Sequence, residues 1–293
     1  MRLLAPAKIN LHLRVAPVEP NGFHPLLSWM CTVGLFDTLT IGHADTGDLS
    51  LLCSDPSLPV DASNLVLRAA REMRKAAGLN AGLKMRLDKA IPVGGGLGGG
   101  SSDAARVLLG LNQLWNLGWP IDRLAGIAAA LGSDVPFFLH GASSLCLGRG
   151  EIVQPLSRPK PRWVVLILPD IALPTAQVYR KFDQMGLGDP ASIESQPPVR
   201  QWADLSAGPL LTRLVNDLEP PAFAICPRLG EIRESIEQSL GRIVRMSGSG
   251  STLFTIFDDS PESEAAVVHI VQKHALRAQA AELAVHVKDD LAA

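Results

Sequence analysis

Six of the seven residues from Gly94 to Gly100 are glycine, and Ser101 and Ser102 follow directly. Glycine loses more conformational freedom on ordering than any other residue, so such a run answers to a need. Ahead of it, Leu83, Met85 and Leu87 alternate with Lys84, Arg86 and Asp88, the period of a half-exposed strand. Behind it, Ala104, Leu108, Leu111 and Trp115 share one helical face. A small-residue loop between a strand and a helix aims main-chain N–H groups and the positive end of the helix dipole at an anion. Pro92, Val93, Gly94, Gly95, Gly96, Leu97, Gly98, Gly99, Gly100, Ser101 and Ser102 are therefore read as a polyphosphate cradle. No lysine follows the glycines, so this is not a Walker A loop. Gly94, Gly96 and Gly99 formally satisfy a dinucleotide fingerprint. The strand before that fingerprint should be buried on both faces and nearly continuously apolar. Here it alternates, and Pro92 stands just before the loop.

A second group of chemistry-bearing residues lies elsewhere. In residues 7–15, Ile9, Leu11, Leu13 and Val15 point one way and Lys8, Asn10, His12 and Arg14 the other, as in a half-buried strand with one polar face. Asp134 sits in a short polar gap after a helix that ends near Gly132. The four cysteines, Cys31, Cys53, Cys146 and Cys226, are scattered and read as free thiols in a reducing cytoplasm. Lys plus Arg is 27 against 29 Asp plus Glu, a net charge of −2 that argues against a general nucleic-acid binder. Aromatic residues at 5% argue against a stacking platform for single strands. The longest aliphatic stretch, Val164–Leu168, falls far short of the roughly 20 residues a membrane-spanning helix needs. No basic segment followed by an apolar run opens the chain, so no secretory signal and no membrane partner are expected.

These residues are carried by elements whose signals run the length of the chain. At 293 residues, with roughly 150 per domain, about two domains are expected. Strands are expected at 35–41, 48–52, 143–147 and 151–153. A helix is expected at 61–77, capped by Ser63 or Asp61 and closed by Gly78, and Asp122 is expected to cap the helix ending near Gly132. Residues 155–161 carry three prolines without period and are read as the boundary, giving domains 1–157 and 158–293. Beyond it come a buried strand at 163–168, a polar surface excursion at 183–209 and a helix marked by Leu229, Ile232, Ile236 and Leu240. Strands at 243–247 and 252–257 flank a Gly/Ser loop, Ser260 and Pro261 open a helix, and a last strand lies at 283–287. The order β, α, β, β, α, β is that of a ferredoxin-like unit.

Five segments carry a resemblance. Pro92, Gly94, Gly96, Leu97, Gly98 and Ser101 fit a P-x-G-x-G-L-G-x-x-S loop. Ala5-Pro6-Ala7-Lys8-Ile9-Asn10-Leu11, Gly22-Phe23-His24, Gly132-Ser133-Asp134-Val135-Pro136-Phe137 and Ser247-Gly248-Ser249-Gly250-Ser251 accompany it in order and spacing. Together they resemble the GHMP small-molecule kinase superfamily, and more narrowly its branch acting on a cytidine-diphosphate-linked methylerythritol in non-mevalonate isoprenoid synthesis. The resemblance implies an α+β fold with an N-terminal ribosomal-protein-S5-like domain and a C-terminal ferredoxin-like domain, mixed and antiparallel sheets, and ATP with Mg²⁺. It implies Asp134 as the base that takes the substrate hydroxyl proton, with Lys8 beside it steadying developing negative charge. Asn10 shares the Lys8 face. His24 is implied as a hydrogen-bond partner of cytosine, Phe23 and Tyr179 as its aromatic neighbours with Thr175 close by, and Asn64 as a neighbour of adenine. Phe23 stands where tyrosine is usual, and Val18-Glu19-Pro20-Asn21 replaces the usual Arg and Asp before that motif. A cytoplasmic monomer or homodimer is expected. A kinase for another alcohol, of homoserine or mevalonate type, and a catalytically silent ligand-binding regulator are the alternatives.

Overall fold

The computed structural model describes residues 1–291. Among these, ten strands form two sheets. In the first, β1 (Arg2–Val15) and β2 (Leu26–His43) pair antiparallel along most of their length. The other edge of β2 is shared. β5 (Ser143–Gly148) pairs with residues 26–31 and β4 (Leu83–Asp88) with residues 38–43, so residues 32–37 lie between the two ladders. β3 (Leu49–Cys53) runs parallel to β4 through the crossover helix α1 (Leu65–Ala77), and β6 (Ile152–Pro155) flanks β5. Helices α1, α2 (Gly99–Leu114) and α3 (Ile121–Leu131) cover one face, where Leu39, Ile41, Leu83 and Met85 pack on Met73, Leu108 and Leu111.

The second sheet is antiparallel in the order β10 (Arg277–Glu282), β7 (Trp163–Leu168), β9 (Leu253–Phe257), β8 (Arg245–Met246). Fourth, first, third, second is the ferredoxin-like order the sequence suggested. Around it stand α4 (Thr175–Gln184), α8 (Glu219–Ile225), α9 (Pro227–Leu240) and α10 (Ser260–His274). A middle core joins the halves: Ile9, Leu11 and Trp29 of the first sheet meet Val164, Leu166 and Phe254 of the second. The chain is thus an α and β protein whose two sheets share a core, with β1 at the seam.

Several expectations are corrected. The polar face of β1 is not half-exposed; Lys8, Asn10 and His12 are all buried, because the second half of the chain lies over them. The α1 cap is Asn64, whose Oδ1 accepts the Val66 N–H at 2.9 Å, and not Ser63 or Asp61. Pro120 is the N-cap of α3, with Asp122 inside its first turn, and Asp259 rather than Ser260 caps α10. The last strand is 277–282, not 283–287. Its sequence RAQAAE has weak strand propensity and is held by register with β7, while Leu283 makes a lone bridge to Val33. Residues 183–209 are not wholly a surface excursion. Within and just beyond them lie three short helices, α5 (Ala191–Glu194), α6 (Val199–Trp202) and α7 (Ala207–Leu211), and they place Val199 and Ala207 in the middle core.

His12 shows what burial of the β1 polar face does. Its Nδ1 accepts the Val215 N–H at 3.2 Å, and its ring meets Trp202 edge-on at 5.3 Å. Burial, reinforced by Arg14, lowers its pKa from 6.5 to about 4. The folded state therefore holds His12 neutral while the unfolded chain protonates it near 6.5. This contribution to stability is full above that pH and is lost as pH falls from 6.5 toward 4, by on the order of 3 kcal/mol. We expect the urea midpoint to decline over this window, and His12→Gln to flatten part of the decline. Parallel midpoint curves for variant and wild type would remove His12 as its source.

Candidate active site

The glycine loop links the end of β4 to α2. Gly94, Gly96 and Gly98 have φ of +74°, +76° and +69°, left-handed values that L side chains rarely adopt. Gly98 is the N-cap of α2 and supplies no side-chain bond, so the first N–H groups of the helix have no cap drawn from a side chain. The loop is braced from outside. The Leu97 carbonyl accepts the Lys8 N–H at 2.9 Å, and the Gly95 carbonyl accepts the Thr252 N–H at 3.3 Å. Ser247 Oγ donates to the Gly96 carbonyl at 3.3 Å and accepts the Asn10 N–H at 3.2 Å. The second glycine motif, 247–251, is therefore packed against the first.

Two clefts meet at this loop and share Gly96 and Gly98. One, ≈ 390 Å³, is walled by Leu58, Pro59, Asn64 and Val66 and floored by Pro92–Ser101. The other, ≈ 570 Å³, takes in Lys8, Asn10, Phe23, His24, Asp134, Thr175 and Tyr179. Every site residue expected from sequence borders one cleft or the other except Ser102. Its hydroxyl is buried in the first turn of α2 without a hydrogen-bond partner.

At the junction, Lys8 Nζ lies 3.4 Å from Asp134 Oδ2 and 2.7 Å from Asn10 Oδ1. Asn10 Nδ2 donates to Ser28 Oγ at 2.8 Å, which fixes the amide with its oxygen toward the lysine. Gly248 must be glycine for this to fit: its φ is +58°, and a Cβ there would come 2.9 Å from Asn10 Oδ1. Asp134 is one-third exposed and Lys8 only 5%, so the carboxylate faces the cleft while the ammonium stays behind it. This arrangement can accept a proton from a group in the larger cleft and present positive charge to an anion arriving from the smaller one.

At the far end of the larger cleft, His24 Nδ1 meets the Ala16 carbonyl at 3.0 Å and Nε2 lies 3.4 Å from Asp183 Oδ1. Its ring lies 5.0 Å from Tyr179 and 5.6 Å from Phe182. Burial, and behind it the Asp134 charge, pushes the Tyr179 phenol up to about 12, so it stays neutral. Phe23 is half exposed, with the Arg149 guanidinium 4.6 Å above its ring. Thr175 Oγ1 bonds Ser249 Oγ at 2.8 Å, tying the start of α4 to the second glycine motif. Asn64 has both polar atoms engaged, Oδ1 by the α1 cap and Nδ2 by the Pro59 carbonyl at 2.7 Å.

Sequence reasoning missed Arg149, Arg180 and Asp183 in the larger cleft and Lys89 and Asp103 in the smaller. Arg149 stands in a Gly-Arg-Gly turn between β5 and β6, which reads only as a turn. Asp103 is buried against Lys89 Nζ at 2.9 Å. Burial first, and then the Asp37 charge, pushes the Asp103 carboxyl up to about 7. Burial works against the Lys89 charge, but Asp103 and Asp37 outweigh it and hold the ammonium above its usual range.

With this geometry in view, the class follows. Family models for the GHMP kinases N-terminal domain and the GHMP kinases C-terminal region match residues 64–142 and 197–275, on the two sides of the seam. The chain is a GHMP kinase, a small-molecule phosphotransferase. A crystal structure of homoserine kinase from Cytophaga hutchinsonii matches with a TM-score of 0.72 over 98% of this chain and 96% of that one, at 16% identity, so it shares the fold alone. A 4-diphosphocytidyl-2-C-methyl-D-erythritol kinase from Pelotomaculum thermopropionicum is 40% identical over 256 residues, 87% of this chain and 88% of its own. A crystal structure of 4-(cytidine 5'-diphospho)-2C-methyl-D-erythritol kinase matches at 35% identity and a TM-score of 0.78, over 98% of this chain and all of that one. Within the GHMP kinases, the chain belongs to the 4-diphosphocytidyl-2-C-methyl-D-erythritol kinase family. Among the described residues, no helix is long and apolar enough to cross a membrane.

Proposed function

We propose that the protein transfers the γ-phosphoryl group of ATP to the 2-hydroxyl of 4-diphosphocytidyl-2-C-methyl-D-erythritol, giving the 2-phosphate and ADP. The observation that carries this reading is the Lys8–Asp134 pair standing where the two clefts meet, 3.4 Å apart beside Gly98. ATP occupies the smaller cleft, its base against Leu58, Pro59 and Val66 near Asn64, its phosphates along the main chain of residues 94–100. Phosphoryl transfer needs alignment, charge neutralisation and an acceptor for the alcohol proton more than covalent help. Asp134 takes the hydroxyl proton as the alcohol oxygen bonds to the γ-phosphorus and the bond to the β-phosphate oxygen breaks, releasing ADP. Lys8, fixed by Asn10, offsets the negative charge that gathers on the transferring group.

Mg²⁺ supplies further charge neutralisation when bound with the nucleotide. Among the described residues, no group of three or more His, Cys, Asp or Glu could hold a metal ion. This suits an ion held chiefly by phosphates and water. Ser101, which borders the smaller cleft at the start of α2, fits a phosphate oxygen or such an ion.

The cytosine of the substrate lies with His24, Phe23 and Tyr179, and its diphosphate, which carries negative charge, passes Arg149 and Arg180. Phe23 keeps the ring face that stacking needs and lacks only a hydroxyl. Stacking of one base is worth about 1–3 kcal/mol. Phe23→Ala should therefore raise the KM of the cytidine substrate about tenfold and leave the KM of ATP nearly unchanged. A selective rise for ATP would contradict the cytosine assignment.

The division into 1–157 and 158–293 is supported by the two sheets lying on either side of 155–161. A reducing cytoplasm is supported by four free cysteines, two of them buried. One assay tests the whole reading. The enzyme is offered ATP, Mg²⁺ and several alcohols, and ADP and product mass are followed. Turnover of homoserine or mevalonate in place of the cytidine substrate, or of no alcohol, would overturn it.

A further inference from the structure

A loop with six glycines in seven residues has little stiffness of its own, yet a phosphate cradle must hold its N–H groups in place before the nucleotide arrives. Its middle is braced by Ser247 and Thr252. Its two ends are braced by a cluster that plays no part in the chemistry above. Asp37, fully buried on β2, stands at the end of the interval between the β5 and β4 ladders. Its Oδ1 accepts the N–H groups of Ala90 (2.6 Å) and Ile91 (2.9 Å), the residues that lead into the loop. Its Oδ2 pairs with Lys89 Nζ. The same ammonium donates to Asp103 Oδ2 at 2.9 Å, and Asp103 belongs to α2, the helix that leaves the loop. All three side chains are at most 6% exposed. One buried cation thus fastens the start of the cradle to the helix at its end, and one strand carboxylate fastens both to the sheet.

We propose that Asp37 is a positioning residue of the nucleotide site: acting through Lys89 and Asp103, it fixes the separation between the two ends of the phosphate loop and so sets affinity for ATP, independently of the alcohol site. The inference rests on the assignment of the loop to ATP made above. Asp37 touches neither cleft. A purely structural ion cluster would be costly for its yield, since buried charges often contribute no more than apolar residues of the same size. A preorganising role gives the cluster a function that stability alone does not.

The test is Asp37→Asn in the full chain. The asparagine oxygen can still accept the Ala90 and Ile91 N–H groups, but the charge is gone and an NH₂ group faces the Lys89 ammonium. The readouts are the thermal midpoint, the Kd of a non-hydrolysable ATP analogue by calorimetry, and KM for each substrate. The expected result is a folded variant whose analogue Kd and ATP KM rise at least about tenfold, with KM for the cytidine substrate within about twofold of wild type. An analogue Kd within about twofold of wild type, or an equal rise in both KM values, overturns the proposal. Asp103→Asn removes only the charge at the tie to α2, its oxygen still able to accept from Lys89. If Asp37→Asn does not fold, Asp103→Asn decides the matter: a weakened analogue Kd supports the proposal and an unchanged one overturns it. Wild-type enzyme that binds the analogue but phosphorylates no alcohol would unseat the assigned reaction alone, because the Kd comparison stands apart from turnover.

Discussion

Asp134→Asn should lower kcat by about 10²–10⁴-fold while ATP-analogue binding and the thermal midpoint stay close to wild type. The three expectations have separate physical sources. The amide has the shape of the carboxylate but cannot take the alcohol proton, so the loss falls on the chemical step. The cradle is main chain from Gly94 to Gly100 and makes no use of the Asp134 side chain, so nucleotide affinity is spared. The ion pair spans 3.4 Å with its carboxylate one-third exposed, and a pair so wet contributes at most about 1 kcal/mol. Lys8 is not stranded by the change, because Asn10 Oδ1 remains 2.7 Å from its ammonium. The measurement is an ADP-coupled rate alongside calorimetric titration with the analogue. Wild-type turnover would take Asp134 out of the mechanism; lost nucleotide binding would mean that the two clefts are more tightly coupled than their shared glycines require.

What the sequence revealed and what it hid divide along the range of the interactions. The glycine run, the alternation of Leu83, Met85 and Leu87, and the Gly78 helix end depend on neighbours within a few residues, and they appear in the fold as read. Alternation in β1 correctly separated Lys8 and Asn10 from Ile9 and Leu11. It could not say that the polar face would be roofed by Ser247, Gly248 and Val215, more than two hundred residues away. The strand at 277–282 was hidden because its residues favour it weakly and its partner β7 is more than a hundred residues earlier. Asp37, Lys89 and Asp103 escaped for the same reason. Each is an ordinary charged residue in its own stretch, and only the crossing of β2 beneath the loop makes them one cluster. The catalytic pair was legible because two short motifs carried it. Arg149 was not, because nothing near it in sequence points toward Phe23; Asp183 lies one helical turn beyond Tyr179, a placement that follows only once residues 175–184 form α4.

Gly96→Ala should raise the ATP KM by about 100-fold or more, whereas Gly94→Ala should change it far less. Both glycines are left-handed, at φ +76° and +74°, so an alanine at either meets the same backbone strain of roughly 1–2 kcal/mol. What differs is the space. A Cβ on Gly94 meets nothing within 4 Å, but on Gly96 it would lie 2.6 Å from the Ser247 carbonyl oxygen and 3.1 Å from that of Gly250. Those atoms are main chain and cannot rotate away, so either the phosphate loop or the second glycine motif must retreat. Retreat of the loop moves the cradle; retreat of the motif pulls Ser247 from the Asn10 N–H and loosens the strand that carries Lys8. Gly96→Ala should therefore lower kcat as well as ATP affinity, a double effect that no substitution confined to the nucleotide cleft would give. Equal KM values for the two alanine variants would mean that the packing of one glycine motif on the other does not hold the cradle in shape, and that the strain alone sets the cost.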